Sequence, residues 1–149
     1  KVNDAEKIVI IPPLINKLLL NTFTINVWEH FFDYKIINWL ALNDQNYQQY
    51  QSLISLADKI AMLEKILTAN ILSFFKGIGN YLSEDKKIEV KITEIITEKR
   101  IKYKNVHRLA FDICFKTNVF LPQHIGLGKA PSTGFGVVYK NEKKQKQDN

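Results

Sequence analysis

The residues best suited to chemistry lie in one stretch near the C-terminus, between Leu121 and Gly136. Four of the chain's 6 glycines fall there, in two Gly-x-Gly pairs separated by a five-residue spacer. Glycine permits positive φ and close approach of another backbone, so successive N–H groups can converge on phosphate oxygens. A lysine adds a point charge, and hydroxyl side chains add donors. The candidate anion-binding residues are therefore Gly126, Gly128, Lys129, Ser132, Thr133, Gly134 and Gly136.

Two nucleotide-binding motifs fit this stretch less well. A Walker loop needs Gly-x-x-x-x-Gly-Lys-Ser/Thr before a helix, whereas Gly128-Lys129 is followed by Ala130-Pro131. A dinucleotide fingerprint needs Gly-x-Gly-x-x-Gly between a strand and a helix, but a strand is expected after this loop. A glycine-rich turn that merely closes the last hairpin remains an open structural alternative.

Three histidines are candidates for proton transfer, because imidazole titrates near neutral pH. His30 lies among aromatic residues, which favours a structural role. His107 opens a basic strand and is expected at an exposed strand end. His124, two residues before Gly126, is the best placed of the three, although packing in the loop is the favoured role. The catalytic residue is thus unknown, with His124 as a weak candidate.

The remaining composition excludes several classes of site. No group of His, Cys, Asp or Glu has metal-ligand spacing, so we expect no metal and no cofactor. Cys114 is the only cysteine, which predicts a buried structural thiol and a reducing, cytoplasmic location. The longest apolar runs fall far short of the ~20 residues that cross a bilayer, so no membrane partner is expected.

The basic charge is confined to the C-terminal half. Residues 1–75 hold 6 Lys and 7 acids, a net charge of −1, whereas residues 76–149 hold 15 Lys or Arg and 8 acids, a net charge of +7. Such asymmetry favours a polyanion, because Lys and Arg that neutralise phosphates release condensed counterions. A solvated lysine-rich surface with a disordered tail is the alternative that charge alone leaves open.

The elements that must position the loop can be read from hydrophobic periodicity. The run from Tyr34 to Leu42 predicts a buried strand. Apolar residues at three- and four-residue steps predict a main helix from Tyr47 to Phe75, capped by Asn43 or Asp44 and broken near Ser52 to Ser55. Glycine in Gly77-Ile78-Gly79 ends that helix.

The second half reads as strands. Alternation predicts a strand from Ile88 to Ile96, a charged turn at Glu98 to Arg100, and a returning strand over residues 106–119. A short strand, Phe135 to Tyr139, follows the glycine-rich segment. This order is the α+β, ferredoxin-like βαββαβ pattern, with the second helix reduced to residues around Pro122 to Ile125.

This order of elements predicts three segments. Residues 1–22, interrupted by Pro12-Pro13, are a linker or the stub of a preceding domain. Residues 23–139 form the ferredoxin-like domain with its C-terminal Gly-rich loop, and residues 140–149 form a disordered basic tail. Because the chain opens with Lys1 and its only Met is Met62, we expect a fragment of a longer protein.

The glycine motif resembles the C-terminal signature of the CRISPR-associated repeat-processing endoribonucleases of the repeat-associated protein superfamily. In that family a Gly-h-Gly, five-residue spacer, Gly-h-Gly loop (h apolar) precedes the last strand of a ferredoxin-like domain. The resemblance spans about residues 23–138 and includes flanking segments as well as the loop. The matching segments are Asn38-Trp-Leu-Ala-Leu-Asn43, Asn70-Ile-Leu-Ser-Phe74, Lys76-Gly-Ile-Gly79, Ala110-Phe-Asp112, Thr117-Asn-Val119, Leu121-Pro122, Gly126-Leu-Gly128 and Gly134-Phe-Gly136.

The resemblance implies a partner and an activity. The expected partner is CRISPR repeat RNA, and the parent protein is expected to cleave it without metal by attack of a 2′-hydroxyl on the adjacent phosphate. Family members typically carry two such domains, so a missing N-terminal domain or subunit is a further expected partner, with a homodimer as an alternative. The catalytic histidine commonly lies in that N-terminal half, so this fragment is not expected to act alone. A non-catalytic RNA-binding or assembly subunit of a CRISPR effector complex is the rival hypothesis.

Overall fold

The structure, a computed structural model, describes residues 23–142. Its elements follow the chain in this order: β1 Phe23–Thr24, β2 Val27–Trp39, α1 Asp44–Ser52, α2 Leu56–Gly77, β3 Asn80–Tyr81, β4 Val90–Tyr103, β5 Val106–Val119, a 3₁₀ helix Pro131–Thr133, and β6 Val137–Lys140. The stub proposed for residues 1–22 lies outside the described residues. The proposed tail overlaps β6 at Lys140, and its residues 143–149 also lie outside.

Four strands form one antiparallel sheet in the order β4-β5-β2-β6. The first and third strands of the βαββαβ sequence are therefore central, and the second and fourth are at the edges. This is the ferredoxin-like arrangement of an α+β domain, as the sequence predicted. The short strands β1 and β3 pair in parallel as a separate ribbon.

The helical region is confirmed in detail. The Asn43 Oδ1 atom accepts the Asn46 N–H (2.7 Å) and caps α1, and the Ser55 hydroxyl accepts the Asp58 N–H (3.0 Å) and caps α2. The predicted break near Ser52 to Ser55 therefore exists because Ser55 begins a new helix. At the other end, Gly79 takes φ +83° just after α2, where glycine avoids the Cβ penalty.

Several predicted boundaries are wrong in the second half. The turn expected at Glu98 to Arg100 is part of β4, and the true turn is Lys104-Asn105, where both residues have positive φ (47° and 62°). Two consecutive residues with positive φ make the tight reversal that a twisted hairpin requires. The charged residues were misread as a turn because this end of the hairpin extends beyond β2, so it carries polar residues without leaving the strand.

The expected second helix is also absent from its predicted place. Residues around Pro122 to Ile125 form a turn, and the only helical piece between β5 and β6 is the 3₁₀ helix inside the loop. Strand β2 begins earlier than the predicted Tyr34 and ends at Trp39, and β6 begins two residues after the predicted Phe135.

The core lies between the helices and one face of the sheet. Its largest fully buried side chains are Trp39, Tyr50, Phe111, Phe115, Ile36, Leu40, Leu63, Leu67, Ile71, Ile113, Leu121 and Leu127. Leu121 precedes the glycine-rich loop and Leu127 lies inside it, so buried apolar groups anchor the N-terminal part of the loop. Cys114 is a buried free thiol as predicted, and burial raises its pKa.

Tyr34 fixes the point at which the chain leaves β5 for the loop. Its hydroxyl oxygen accepts the Leu121 N–H (2.7 Å) in a buried bond. We predict that Tyr34→Phe lowers the free energy of unfolding by about 1–3 kcal/mol, because the Leu121 N–H is left buried without an acceptor. Urea unfolding measures the change, and Tyr81→Phe is the control because Tyr81 is exposed. Equal stabilities of the two variants would contradict this role for Tyr34.

Candidate nucleic-acid interface

The glycine-rich loop is closed by a short antiparallel pairing. The Leu127 N–H donates to the Gly136 carbonyl (2.9 Å), and the Val138 N–H donates to the Ile125 carbonyl (2.9 Å). The His124 N–H donates to the Val138 carbonyl (2.7 Å). The segment therefore closes the last hairpin, which agrees with the alternative of a glycine-rich turn. Its tip, however, is a structured loop containing the 3₁₀ helix rather than a tight turn.

Two of the four glycines are required by packing. A Cβ on Gly136 would overlap the Leu127 carbonyl oxygen, and a Cβ on Gly126 would overlap the Pro131 side chain. Gly136 also takes φ +70°, so both sterics and backbone conformation demand glycine there. These two positions are explained by loop closure alone and need no ligand.

The other two glycines differ from each other. A Cβ on Gly128 would lie 3.0 Å from the Trp39 indole, so this glycine lets the loop backbone rest against the end of β2. A Cβ on Gly134 would meet nothing within 4 Å, and this glycine serves only the positive φ of 88° that ends the 3₁₀ helix. Substitution at Gly134 therefore perturbs the loop conformation with no clash.

The backbone between these glycines presents unused donors. Gly128 and Ala130 have positive φ (85° and 56°), while Lys129 between them does not. Such an alternation of backbone hand can turn consecutive N–H groups toward a common side, as in an anion-binding nest. Within the described part of the chain, the N–H groups of Gly128, Lys129 and Ala130 donate to no backbone carbonyl. The loop can thus hold an anion such as a phosphate oxygen.

The side chains predicted to assist this nest are only partly available. Lys129 is exposed at the loop tip and lines the cavity behind it. The Thr133 hydroxyl donates to the Ala130 carbonyl (2.9 Å), so it stabilises the loop itself. Ser132 is exposed on the 3₁₀ helix. Lys129 and Ser132 are therefore the candidate side-chain contacts, and Thr133 is a structural member of the loop.

The loop is attached to the sheet through the last residues of β2. The Gly136 N–H donates to the carbonyls of both Ile37 (2.9 Å) and Asn38 (3.0 Å). Asn38 has φ +51°, and its own N–H donates to Asp112 Oδ1 on β5 (2.7 Å). The Asp112 carboxylate thus holds Asn38, the residue with positive φ whose carbonyl accepts the hydrogen bond from Gly136 of the loop. Asp112 lies in the segment Ala110-Phe-Asp112 that resembles the family, but nothing in the sequence indicated that it would bond to Asn38.

The pKa of the Asp112 carboxyl lies below its ordinary value. Partial burial alone would raise it. The hydrogen bonds from the Asn38 N–H and the Thr97 side chain, together with the Lys99 ammonium at 3.6 Å, outweigh that effect. Asp112 is therefore ionised near neutral pH in the folded protein, and its charge strengthens the bond to Asn38.

The three histidines are not brought together. His30 packs against Trp28 (5.6 Å between ring centroids) and Phe32 (4.6 Å), which agrees with the structural role expected for it. His124 has φ +67°, and its ring contacts Tyr139 edge-on (5.2 Å). His107 lies opposite Lys102 near the tip of the β4–β5 hairpin.

The basic end of that hairpin is the feature that the sequence analysis missed. We call residues 98–108, which form the tip of the β4–β5 hairpin near and beyond the end of β2, the basic hairpin. It carries five cationic residues and one acid. Tyr103 of the basic hairpin contacts Phe135 of the loop (5.3 Å between ring centroids), so the two surfaces adjoin. The signal was present in the composition, but the misplaced turn split the charges between two elements. The cationic residues are Lys99, Arg100, Lys102, Lys104 and Arg108.

Two other kinds of site are not found in the described part of the molecule. Residues 23–142 contain no group of three or more His, Cys, Asp or Glu that could hold a metal ion. No helix there is long and apolar enough to span a membrane.

Fold and loop together define a ferredoxin-like domain of the CRISPR RNA-processing proteins. Residues 26–141 match the family model described as the Cas6b C-terminal domain, so the chain belongs to the Cas6b family and carries its C-terminal domain. The family resemblance inferred from the glycine motif is thereby confirmed.

Individual relatives agree with this assignment. The chain is 37% identical over 117 residues to the uncharacterized protein MJ0978 of Methanocaldococcus jannaschii, covering 78% of this chain and 77% of that protein. It is similar to a crystal structure of Cas6b (31% identity, TM-score 0.70). It is likewise similar to a crystal structure of the CRISPR RNA processing endoribonuclease Cas6b (33%, 0.70). Each alignment covers 78% of this chain, but only 66% and 58% of those proteins.

A more distant structure shares the fold alone. Csf5, a type IV Cas6 crRNA endonuclease, aligns at 12% identity with a TM-score of 0.60, over 81% of this chain and 48% of that one. The chain thus spans about half to two thirds of the solved structures that it matches.

The depressed pKa of Asp112 predicts a pH dependence. A carboxyl with a lowered pKa in the folded state stabilises the fold at pH values above its unfolded pKa, and this stabilisation is lost as the pH falls through the folded pKa. Asp112→Asn keeps an oxygen acceptor for the Asn38 N–H but carries no charge. The wild-type advantage in unfolding free energy over Asp112→Asn should therefore be constant above about pH 5 and shrink as the pH falls below about 4.

Urea unfolding at a series of pH values checks this. Asp112→Ala is the matched variant, because it also removes the acceptor for Asn38 and should be less stable than Asp112→Asn at every pH. Parallel wild-type and Asp112→Asn curves throughout the acid range would show that the carboxylate charge does not support the Asn38 turn.

Proposed function

We propose that this domain binds CRISPR repeat RNA through the loop Gly126 to Gly136 and the basic hairpin, as the C-terminal half of an endoribonuclease that matures guide RNA. The observation that carries this proposal is the run of unused N–H groups at Gly128, Lys129 and Ala130, held by positive φ next to a cationic surface. Phosphate is the anion that such a nest and such a surface share.

The loop and the basic hairpin are suited to different kinds of phosphate contact. The nest can hold one phosphate with defined orientation, because backbone donors are fixed by the loop. The basic hairpin presents long, exposed side chains, which suit the sequence-independent contact with neighbouring phosphates that dominates affinity. Since Tyr103 and Phe135 join the two surfaces, one RNA strand can cross both.

The cleavage step that we propose for the parent protein is metal-independent. The 2′-hydroxyl of one nucleotide attacks the adjacent phosphate, a base takes the hydroxyl proton, and the 5′-oxygen departs with a proton from an acid. This domain would position the phosphate, while the base and acid come mostly from the part of the parent protein that this chain lacks. His124, beside the loop, is the candidate within this chain, although its ring rests on Tyr139.

A second candidate function is a non-catalytic RNA-binding or assembly subunit of a CRISPR effector complex. The placement of the histidines supports it, because His30 packs on Trp28, His107 pairs with Lys102 and His124 packs on Tyr139. Incubation of the parent protein with repeat RNA in EDTA distinguishes the two. Cleavage that leaves a 2′,3′-cyclic phosphate supports the nuclease, and tight binding with intact RNA supports the subunit.

RNA contact by the two surfaces predicts a specific salt dependence. Each lysine that neutralises a phosphate adds about 0.7–0.9 to the slope of log affinity against log salt, so Lys129→Ala should reduce that slope by about one. The double change Lys102→Ala and Lys104→Ala should reduce it by about two if both side chains meet phosphate. Fluorescence anisotropy with labelled repeat RNA at several salt concentrations measures these slopes.

The matched control is Lys91→Ala. Lys91 is exposed at the start of β4, at the opposite end of that strand from the basic hairpin. Equal slopes for the Lys129→Ala, Lys91→Ala and wild-type domains would exclude the loop lysine from RNA contact. All variants are first compared by thermal melting, so that loss of binding is measured on folded protein.

A further inference from the structure

A cavity of about 510 Å³ lies behind the glycine-rich loop, between the loop, the end of β2 and the two helices. This volume is within the ~300–1,000 Å³ typical of small-molecule sites. Three asparagines line it, two at the start of α1 and one on α2, together with the loop residues Gly128 and Lys129. The asparagines are Asn43, Asn46 and Asn70.

The orientation of two of these amides is fixed by their partners. The Asn43 Oδ1 atom accepts the Asn46 N–H (2.7 Å), and the Asn70 Oδ1 atom accepts the Trp39 Nε1–H (2.9 Å). Because both partners are donors, each amide must use its oxygen for the protein. The NH₂ groups of Asn43 and Asn70 are therefore the groups left for a ligand, and both are donors.

The rest of the cavity suits a flat, partly apolar ligand. Ile66, Ala69 and Phe74 line the α2 side, and Leu127 lines the loop side. The aromatic ring of Phe74 offers a face or edge to a planar group. At the rim, the Lys129 ammonium and the nest at Gly128 are placed for a phosphate attached to that group.

We infer that this cavity is a nucleobase pocket that admits one splayed-out base of the bound RNA, and that it prefers guanine. The preference follows from the donors, because guanine presents two acceptors, O6 and N7, on one edge, whereas adenine presents a donor and an acceptor there. The proposal rests on the proposed function, since the phosphate of the same nucleotide is held by the loop. Base-specific readout of this kind is how single-stranded RNA is recognised.

The pocket also explains why the loop packs on Trp39. Gly128 lies against the indole, and the indole is held by Asn70. One tryptophan thereby fixes both the loop backbone that contacts phosphate and the amide that contacts the base. The distance between the phosphate and base contacts is then set by the fold rather than by flexible side chains.

The test uses the domain with short labelled oligouridylates that carry guanine, adenine or an abasic site at one central position. We expect the wild-type domain to bind the guanine oligonucleotide about 10-fold more tightly than the abasic one. Ala69→Leu, which fills the cavity from an exposed position of α2, should abolish this preference. Ala61→Leu is the control, because Ala61 is exposed on the same helix and does not line the cavity.

Asn46→Asp is a second variant that does not threaten folding, because a carboxylate in the first turn of α1 stabilises a helix N-terminus. It should lower the ratio of guanine to abasic affinity, since it places a negative charge beside the acceptor edge. A 6-thioguanine in the central position should crosslink to residues 66–74 or 126–129 in the wild type and not in Ala69→Leu.

The failures of the two proposals are distinguishable. If Ala69→Leu and Asn46→Asp keep the wild-type ratio of guanine to abasic affinity, the pocket proposal is overturned. In that case a weakened affinity of Lys129→Ala for all three oligonucleotides still supports RNA contact by the loop. If the wild-type domain binds none of the three oligonucleotides, the RNA-binding function fails and the pocket proposal fails with it.

Discussion

The bond between Asp112 and the Asn38 N–H is the interaction on which the functional surface depends. It holds Asn38 at φ +51° at the end of β2, and the carbonyls of this turn accept the Gly136 N–H. Without a partner for its N–H, Asn38 would gain little from the left-handed conformation, which costs L-residues about 1–2 kcal/mol. Three segments that are distant in sequence are thereby joined at one point: β2, β5 and the loop.

The attachment of the loop to the end of β2 explains why some of its glycine positions are sterically constrained and others are not. Gly136 must be glycine because its backbone enters the turn beside the Leu127 carbonyl, whereas Gly134, at the far end of the loop tip, has open space around it. Positive φ at two non-glycine residues, His124 and Ala130, adds strain on both sides of the anchored pairing. Such strain persists only where the surrounding structure overdetermines it, and it collects at functional sites. The strain therefore agrees with a loop shaped for a ligand rather than for the shortest connection.

The parts of this structure that could be predicted from sequence are those encoded locally. Ser55 and Asn43 are residue types that indicate helix caps. The double Gly-x-Gly spacing indicates a loop with positive φ angles. The extent of the basic hairpin could not be predicted because it depends on pairing between strands, although its charges were visible in the composition. Asp112 and Asn70 lie in segments that resemble the family, but their bonds to Asn38 and Trp39 exist only because the fold places these residues beside them.

The preformed state of the loop determines where its binding energy can come from. Backbone bonds at Leu127, Gly136 and Val138 order the loop in the absence of RNA, so binding need not order it again. The amides of Asn43 and Asn70 are also held in place, because their oxygens accept the Asn46 N–H and the Trp39 Nε1–H. The exposed lysines are different, since every side chain that meets a phosphate loses rotamer freedom. The rigid groups therefore favour specificity for one nucleotide geometry, whereas the lysines supply a salt-sensitive affinity that any RNA strand can share.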